Sequence, residues 1–235
     1  LLHNGQNGYD TLILDFLRGS GTSAEIAEAD YDIAYLFNGG CTMPGQGGWG
    51  GTITVYDASS LDDAGWAEVF SKDVIVVPWA PCYTVASQTA FNARSGQLAT
   101  FFNAGGDLWM NSSLSRSGYY DVLPPSVLSS GAGISGSTGF EATAAGLLIG
   151  IETNMINNFA THNNFTDVAS ALTVFEVRSD IAISIGVSDA RITGTGIGDD
   201  APAIPVPTLT FWGLLLLLIS IIGVSYRGLR RISKS

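Results

Sequence analysis

The chain has 235 residues, of which 46% are hydrophobic and 10% aromatic, so it carries enough apolar side chains for a packed core and is not a disordered protein. Its formal net charge of −11 is unevenly distributed, because four of the ten basic residues lie in the last nine positions and no acidic residue follows Asp200. The part of the chain before these last nine residues is therefore strongly acidic. Such a surface repels phosphate backbones, and nucleic acid is not expected as a partner.

The first half of the chain alternates between helical and strand patterns. Residues 9–21, "YDTLILDFLRGSG", place apolar side chains at i, i+4 spacing and predict a helix. Residues 51–58 alternate as a strand, and residues 72–79, "KDVIVVPW", form the apolar run of a parallel strand buried on both faces. Residues 88–106 predict a helix ended by glycine, and residues 107–113 predict another strand. This order predicts a doubly wound, mostly parallel α/β sheet.

The second half is less regular. Residues 112–146 are rich in glycine and serine and are expected to form a long surface excursion near the strand ends. Two further strands, "SALTVFEVRSD" and "IAISIGVSDARI", are separated by Ser179 and Asp180. We expect them to pair as a hairpin on one edge of the sheet.

Residues 73–113 resemble class I glutamine amidotransferase-like domains, which have a flavodoxin-like fold. The shared pattern is an apolar strand ending at proline, a loop, a helix, Gly-Gly and a further strand, here "DVIVVPW" to "FFNAGGDLWM". The resemblance implies a flavodoxin-like α/β domain over residues 1–192. It does not by itself carry the family's activity onto this chain.

The catalytic residues that the resemblance implies are incomplete. Active members have a nucleophilic cysteine after the strand that follows Gly-Gly, and this chain has "NSS", with Ser112, at that place. Active members also have a later His-x-Glu pattern. Here the histidine is His162, and Asn164 stands in place of the glutamate. Two alternatives stay open: Ser112 with His162 and an acid such as Asp167, or Cys82 with His162. We favour a third interpretation, in which His162 orders a polar loop, "THNNFTD".

The two cysteines, Cys41 and Cys82, lie in loop-like sequence and predict one disulfide in an exported domain. Trp79, Tyr83 and Trp109 are candidates to line a ligand cleft at the strand ends, although they are equally suited to the core. Two distant histidines give no zinc site, and the acids of "ADYDIAY", "SLDDAG" and "IGDDAP" fit solvated turns better than calcium loops. We therefore expect neither a metal nor a cofactor.

The end of the chain predicts a membrane segment. Residues 209–226 are uncharged, which is near the lower limit for a transmembrane helix. The basic residues that follow place the C-terminus in the cytoplasm and the domain outside it. They are Arg227, Arg230, Arg231 and Lys234.

This tail resembles the IPTL-CTERM sorting signal, a relative of the PEP-CTERM signals of Gram-negative bacteria. The matching residues are Pro207, Thr208, Leu209 and Trp212, whereas Val206 stands where isoleucine is usual. The resemblance implies a sorting signal over residues 207–235, preceded by a Gly/Pro linker over residues 193–206. It also implies export, transient residence in the inner membrane, an exosortase-like processing enzyme as partner, and a final place at the outer surface or outside the cell.

These observations favour an exported, non-catalytic surface or envelope protein that binds a small ligand, a glycan or a matrix component. The alternative is a secreted hydrolase that uses Ser112 or Cys82 with His162.

Overall fold

The computed structural model describes residues 8–19, 26–38, 49–78, 82–111, 118–123, 130–157 and 161–186, with the backbone alone for residues 130–135 and 161–163. The helices are α1 (Tyr9–Gly19), α2 (Asp63–Val69), α3 (Val85–Asn92), α4 (Ser95–Asn103), α5 (Ala144–Leu148) and α6 (Thr153–Ile156), besides a short 3-10 helix at Glu28–Asp30. The strands are β1 (Ile33–Leu36), β2 (Ile53–Tyr56), β3 (Val74–Val77), β4 (Asp107–Met110), β5 (Ser130–Ser135), β6 (Glu141–Ala142), β7 (Thr161–Asp167), β8 (Thr173–Arg178) and β9 (Ile181–Gly186).

A four-stranded parallel sheet with the order β2-β1-β3-β4 forms the centre of the domain. Ile33 pairs with Ile53 on one side and Val74 on the other, and Val74 pairs with Asp107. Every residue of β1 and β3 is buried, which explains their continuous apolar sequences. The order is consistent with a flavodoxin-like core, and the strands predicted within residues 51–58, 72–79 and 107–113 are confirmed.

Helices cover both faces of this sheet. Leu36, Val77 and neighbouring side chains pack against α2, α3 and α4, in a core where the rings of Trp66 and Phe91 stack with centroids 6.1 Å apart. Side chains of the other face, such as Tyr35 and Val76, pack against α1, α6 and strand β9. The alternation of side chains along each strand separates these two cores.

The helix predicted over residues 9–21 is confirmed as α1, but the single helix predicted over residues 88–106 is two helices. The chain leaves helical geometry at Arg94, with φ −105° and ψ 18°. Ser95 and Gly96 follow, and such a Ser/Gly pair favours a break because both residues are weak helix formers. The predicted glycine end is confirmed by Gly105, which has a φ of 102°.

A second, antiparallel sheet has the order β5-β7-β9-β8-β6. The predicted hairpin is confirmed as β8 and β9, and its two-residue turn has positive φ at both Ser179 (50°) and Asp180 (67°), as a type I′ turn requires. Its predicted position on an edge of the parallel sheet is wrong, because the hairpin lies between β7 and β6 in a sheet of its own.

Two other expectations also fail in this region. Residues 112–146, expected as a surface excursion, contain β5, β6 and the start of α5. The segment "THNNFTD", expected as a polar loop, is strand β7. Neither segment shows strong alternation of apolar and polar residues. We therefore attribute its strand conformation to pairing with neighbouring strands rather than to its own side chains.

All described residues belong to one compact unit, Leu1–Asp199. None of the helices in the described part of the chain is long and apolar enough to cross a membrane. The predicted linker (193–206), the span (209–226) and the sorting signal (207–235) lie outside the described residues, as do their named side chains. Those side chains are Pro207, Thr208, Leu209, Trp212, Arg227, Arg230, Arg231 and Lys234.

Candidate functional site

Polar side chains meet at the carboxyl ends of three parallel strands. Asn38 lies two residues beyond β1, Asp57 directly follows β2, and Thr84 lies between β3 and α3. The chain passes from β1 outward to β2 and then returns to β3 on the other side, so the strand order reverses between β1 and β3. Open α/β sheets place their ligand crevices at such a switch point. We refer to Asn38, Asp57, Ser59, Thr84 and Ser87 as the switch-point cluster.

Asn38 connects the three strand ends. Its Nδ2 donates to Thr84 Oγ1 at 2.8 Å and to Asp57 Oδ1 at 3.2 Å, while its Oδ1 accepts from the Thr84 backbone N–H at 3.0 Å. The amide side chain therefore uses both its donor and its acceptor within the cluster. Truncation of Asn38 would remove the side-chain hydrogen bonds that connect the end of β1 to Asp57 and Thr84.

Asp57 is the charged member of the cluster. Its Oδ1 accepts from the N–H and the hydroxyl of Ser59, at 3.0 and 2.6 Å, and from the Ser87 hydroxyl at 3.4 Å. Partial burial by itself raises the pKa of Asp57, but hydrogen bonds from Ser59, Asn38 and Ser87 outweigh it and hold the pKa below its ordinary value. The Asp57 carboxylate is consequently ionised at neutral pH.

Thr84 is the N-cap of α3, since its hydroxyl accepts from the Ser87 N–H at 3.2 Å. The same hydroxyl lies 3.1 Å from the hydroxyl of Ser87. The start of α3 is thereby attached to Asn38 and, through Ser87, to Asp57.

Cys82 borders the cluster. It is disulfide-bonded, and the described residues contain no free cysteine. Its carbonyl oxygen accepts from the Asn38 N–H at 3.3 Å. A disulfide sulfur offers no thiolate, so Cys82 in this state is not a nucleophile. Cys41, its predicted partner, lies outside the described residues.

The candidate cleft aromatics are separated by the sheet. Tyr83 is buried in the core that faces α2 to α4, where its hydroxyl donates to the Ser87 carbonyl oxygen at 2.9 Å. Trp109 is buried in the opposite core, beside Tyr35 and Val76. Trp79 lies outside the described residues. Tyr83 and Trp109 are thus core residues that do not meet in one cleft.

The alternative catalytic residues are only partly described. Ser112 lies outside the described residues. The backbone of His162 pairs with Ile134, and that of Asp167 with Ser130, both within the antiparallel sheet. Sequence reasoning placed His162 in a loop; its position in β7 is a consequence of strand pairing that the polar sequence did not indicate.

Two acids of the segment "SLDDAG" have partners within the protein. Asp62 caps α2 by accepting from the Gly65 N–H at 2.8 Å, and Asp63 pairs with Arg94 at 2.9 Å. Across the described ranges, no three His, Cys, Asp or Glu side chains are grouped so that they could hold a metal ion. The "IGDDAP" segment lies outside those ranges.

The opposite, amino-terminal edge of the sheet holds a second polar group. The Tyr31 hydroxyl donates to Asp107 Oδ2 at 2.6 Å. Burial, together with the nearby charge of Asp73, raises the pKa of Asp107 to about 7, although the hydrogen bond from Tyr31 opposes this rise. This pair lies at the edge where parallel sheets do not place ligands, and we regard it as structural.

Sequence reasoning missed Asn38, Asp57 and Thr84. The sequence did contain an indication of two of these residues, since Asn38 follows the apolar run in "IAYLFN" and Asp57 follows the one in "ITVYD". Without the strand order, these residues could not be placed together at one edge of the sheet.

The fold and the cluster define an α/β domain with a hydrogen-bonded group of polar side chains at its switch point. Comparison of the chain with protein-family models, with curated proteins and with solved structures found no match.

Proposed function

We propose that this chain is an exported, non-catalytic surface or envelope protein whose amidotransferase-like, flavodoxin-like domain binds a ligand or matrix component. The single observation that carries the proposal is the switch-point cluster, in which polar side chains from three loops converge where open α/β sheets bind ligands.

The state of Cys82 supports a binding role over catalysis. Its disulfide removes the thiol that one form of hydrolase would use. The family's His-x-Glu pattern is also broken by Asn164. A serine hydrolase built on Ser112 and His162 is the remaining catalytic alternative, and it has no further support.

The disulfide also supports export, because such bonds persist in oxidising compartments. The tail adds the sorting signal, with residues 209–226 crossing the inner membrane transiently and Pro207, Thr208, Leu209 and Trp212 presented to an exosortase-like enzyme. After processing, the domain resides at the outer surface or outside the cell.

The mass of the intact protein from its native host tests export and sorting together. Samples are alkylated with and without prior reduction. We expect a mass shorter than the full chain by the tail and no alkylation before reduction. A full-length mass with both cysteines alkylated in the native protein contradicts sorting and reopens Cys82 as a nucleophile.

Hydrolysis assays test the non-catalytic role. The intact chain and its His162→Ala and Ser112→Ala variants are assayed with p-nitrophenyl acetate and with glutamine. We expect no turnover above the uncatalysed rate in any of the three. Turnover that both substitutions abolish identifies a hydrolase and overturns the proposal.

A further inference from the structure

Asn38 is followed in the chain by Gly39, and the same Asn-Gly pair occurs at Asn4 and Asn7. Such a pair is chemically labile, because glycine has no Cβ to hinder attack of its backbone nitrogen on the asparagine side chain. The nitrogen of Gly39 forms a bond to Cγ of Asn38, the Cγ–Nδ2 bond breaks, and ammonia leaves with the proton that the Gly39 nitrogen releases. Water then opens the cyclic imide to aspartate or isoaspartate at position 38.

The side chain of Asn38 is held by three hydrogen bonds. Its Nδ2 donates to Thr84 Oγ1 at 2.8 Å and to Asp57 Oδ1 at 3.2 Å, while its Oδ1 accepts from the Thr84 N–H at 3.0 Å. The backbone is held as well, since the Asn38 N–H donates to the carbonyl oxygen of Cys82 at 3.3 Å. Formation of the cyclic imide expels Nδ2 and therefore breaks both bonds that this atom donates. The folded state consequently opposes the reaction.

The acid product does not fit the cluster. The departing Nδ2 is the donor to Asp57 Oδ1 and to Thr84 Oγ1, and the oxygen that replaces it has no proton to donate once the new acid ionises. Two carboxylates then face each other at hydrogen-bond distance, and like charges so close repel. Isoaspartate adds a further distortion, because it lengthens the backbone by one carbon at the end of β1.

We infer that Asn38 is a site of spontaneous deamidation, that the hydrogen bonds of the switch-point cluster retard this reaction in the folded protein, and that the acid product disrupts the cluster. This inference goes beyond the proposed function and does not depend on it. It gives the internal hydrogen bonds of the cluster a role in the lifetime of the domain, since they preserve the residue that connects the strand ends.

Peptide mapping by mass spectrometry tests the site and its protection. The intact chain is incubated at mildly alkaline pH with and without urea, and conversion of amide to acid is followed at each Asn-Gly pair. In urea, Asn38 should react at a rate similar to Asn4 and Asn7, because the local sequence is the same. In the folded protein, Asn38 should react about tenfold more slowly than in urea, since the bonds of its side chain must first break. An equal or faster rate in the folded protein would overturn the protection, and no conversion of Asn38 in urea would overturn the site.

Two variants that each remove a helix cap separate the hydrogen bonds from general stability. Thr84→Val deletes the cap of α3 together with the acceptor of Asn38 Nδ2, whereas Asp62→Ala deletes the cap of α2. In the folded protein, Thr84→Val should accelerate conversion of Asn38 severalfold and Asp62→Ala should leave it unchanged. Equal acceleration in both would assign the protection to global stability and contradict the inference.

A double-mutant cycle tests the effect of the product. Asn38→Asp, which reproduces one product, should lower the urea midpoint of the parent chain. The same change should lower the midpoint less in the Asp57→Asn background, where the second charge is absent. Equal losses in the two backgrounds would overturn repulsion by Asp57 as the cause, and an unchanged midpoint of Asn38→Asp in the parent chain would overturn disruption of the cluster by the acid.

Discussion

The hydroxyl of Tyr9 donates a hydrogen bond to Glu176, a residue 167 positions later in the chain. Tyr9 belongs to α1 and is 6% exposed, and Glu176 belongs to β8 and is 1% exposed. Burial raises the pKa of the Glu176 carboxyl, although the hydrogen bond from Tyr9 partly opposes this rise. The pair joins the first described helix to the antiparallel sheet through a polar contact in an apolar core.

Tyr9→Phe should destabilise the domain by about 1–3 kcal/mol, because the substitution removes a donor from a buried carboxyl group. Urea unfolding at neutral pH measures this. Tyr35→Phe is the matched control, since Tyr35 is equally buried and the described residues offer its hydroxyl no hydrogen-bond partner. Equal losses in the two variants would show that the contact with Glu176 contributes nothing.

Asp107 should make stability depend on pH. Its folded pKa of about 7 lies above the ordinary 3.8, so the folded state retains a proton that the unfolded state releases. The free energy of unfolding therefore decreases as pH rises from about 4 to about 7, and this loss is complete above pH 7. Asp107→Asn, which keeps an acceptor for Tyr31, should reduce this slope to the part that Glu176 contributes through its own raised pKa, and should stabilise the domain at pH 8 by on the order of 2 kcal/mol.

Thermal unfolding of parent and variant from pH 3 to pH 9 tests the role of Asp107. Tyr31→Phe serves as a second variant, because loss of its hydrogen bond should raise the pKa of Asp107 further and extend the decline to higher pH. A parent slope that is unchanged in Asp107→Asn would assign the pH dependence to another group.

Reduction of the disulfide should destabilise the domain by roughly 2–4 kcal/mol, because a Cys41–Cys82 bridge would close a loop of about 40 residues in the unfolded chain. Urea unfolding with and without dithiothreitol measures the difference, and peptide mapping identifies the partner of Cys82. In Cys82→Ala, dithiothreitol should have no effect. If Cys82→Ala unfolds at the same urea concentration as the oxidised parent, the bridge does not contribute to stability.

Two glycine substitutions should have opposite effects. A Cβ at Gly146 would lie 2.2 Å from the carbonyl oxygen of Phe175, so Gly146→Ala forces α5 away from β8 and should cost about 2 kcal/mol or more. A Cβ at Gly96 would meet no atom within 4 Å, and Gly96→Ala in α4 should stabilise by about 0.5–1 kcal/mol. Unfolding midpoints of the two variants measure both, and destabilisation by Gly96→Ala would contradict the open space at that position.

Part of the fold could be predicted from local pattern. The apolar run of β3 and the periodicity of α1 each depend on residues close in sequence, as does the turn at Ser179 and Asp180. Strand β1 was missed because "IAYL" is short and follows the acids of "EADYD", which suggest a turn. Its assignment as a central strand depends on pairing with β2 and β3, which no local pattern encodes.

The periodicity of the helices and buried strands, the positions of the acidic and basic residues, and the presence of Asn164 two residues after His162 can all be read from the sequence alone. These are properties of residue type and spacing. The placement of the β8–β9 hairpin in a separate sheet, and the meeting of Asn38, Asp57 and Thr84 at one edge of the parallel sheet, required the tertiary structure. Those outcomes depend on strand order and register, which arise from burial of whole faces and from hydrogen bonds between distant segments.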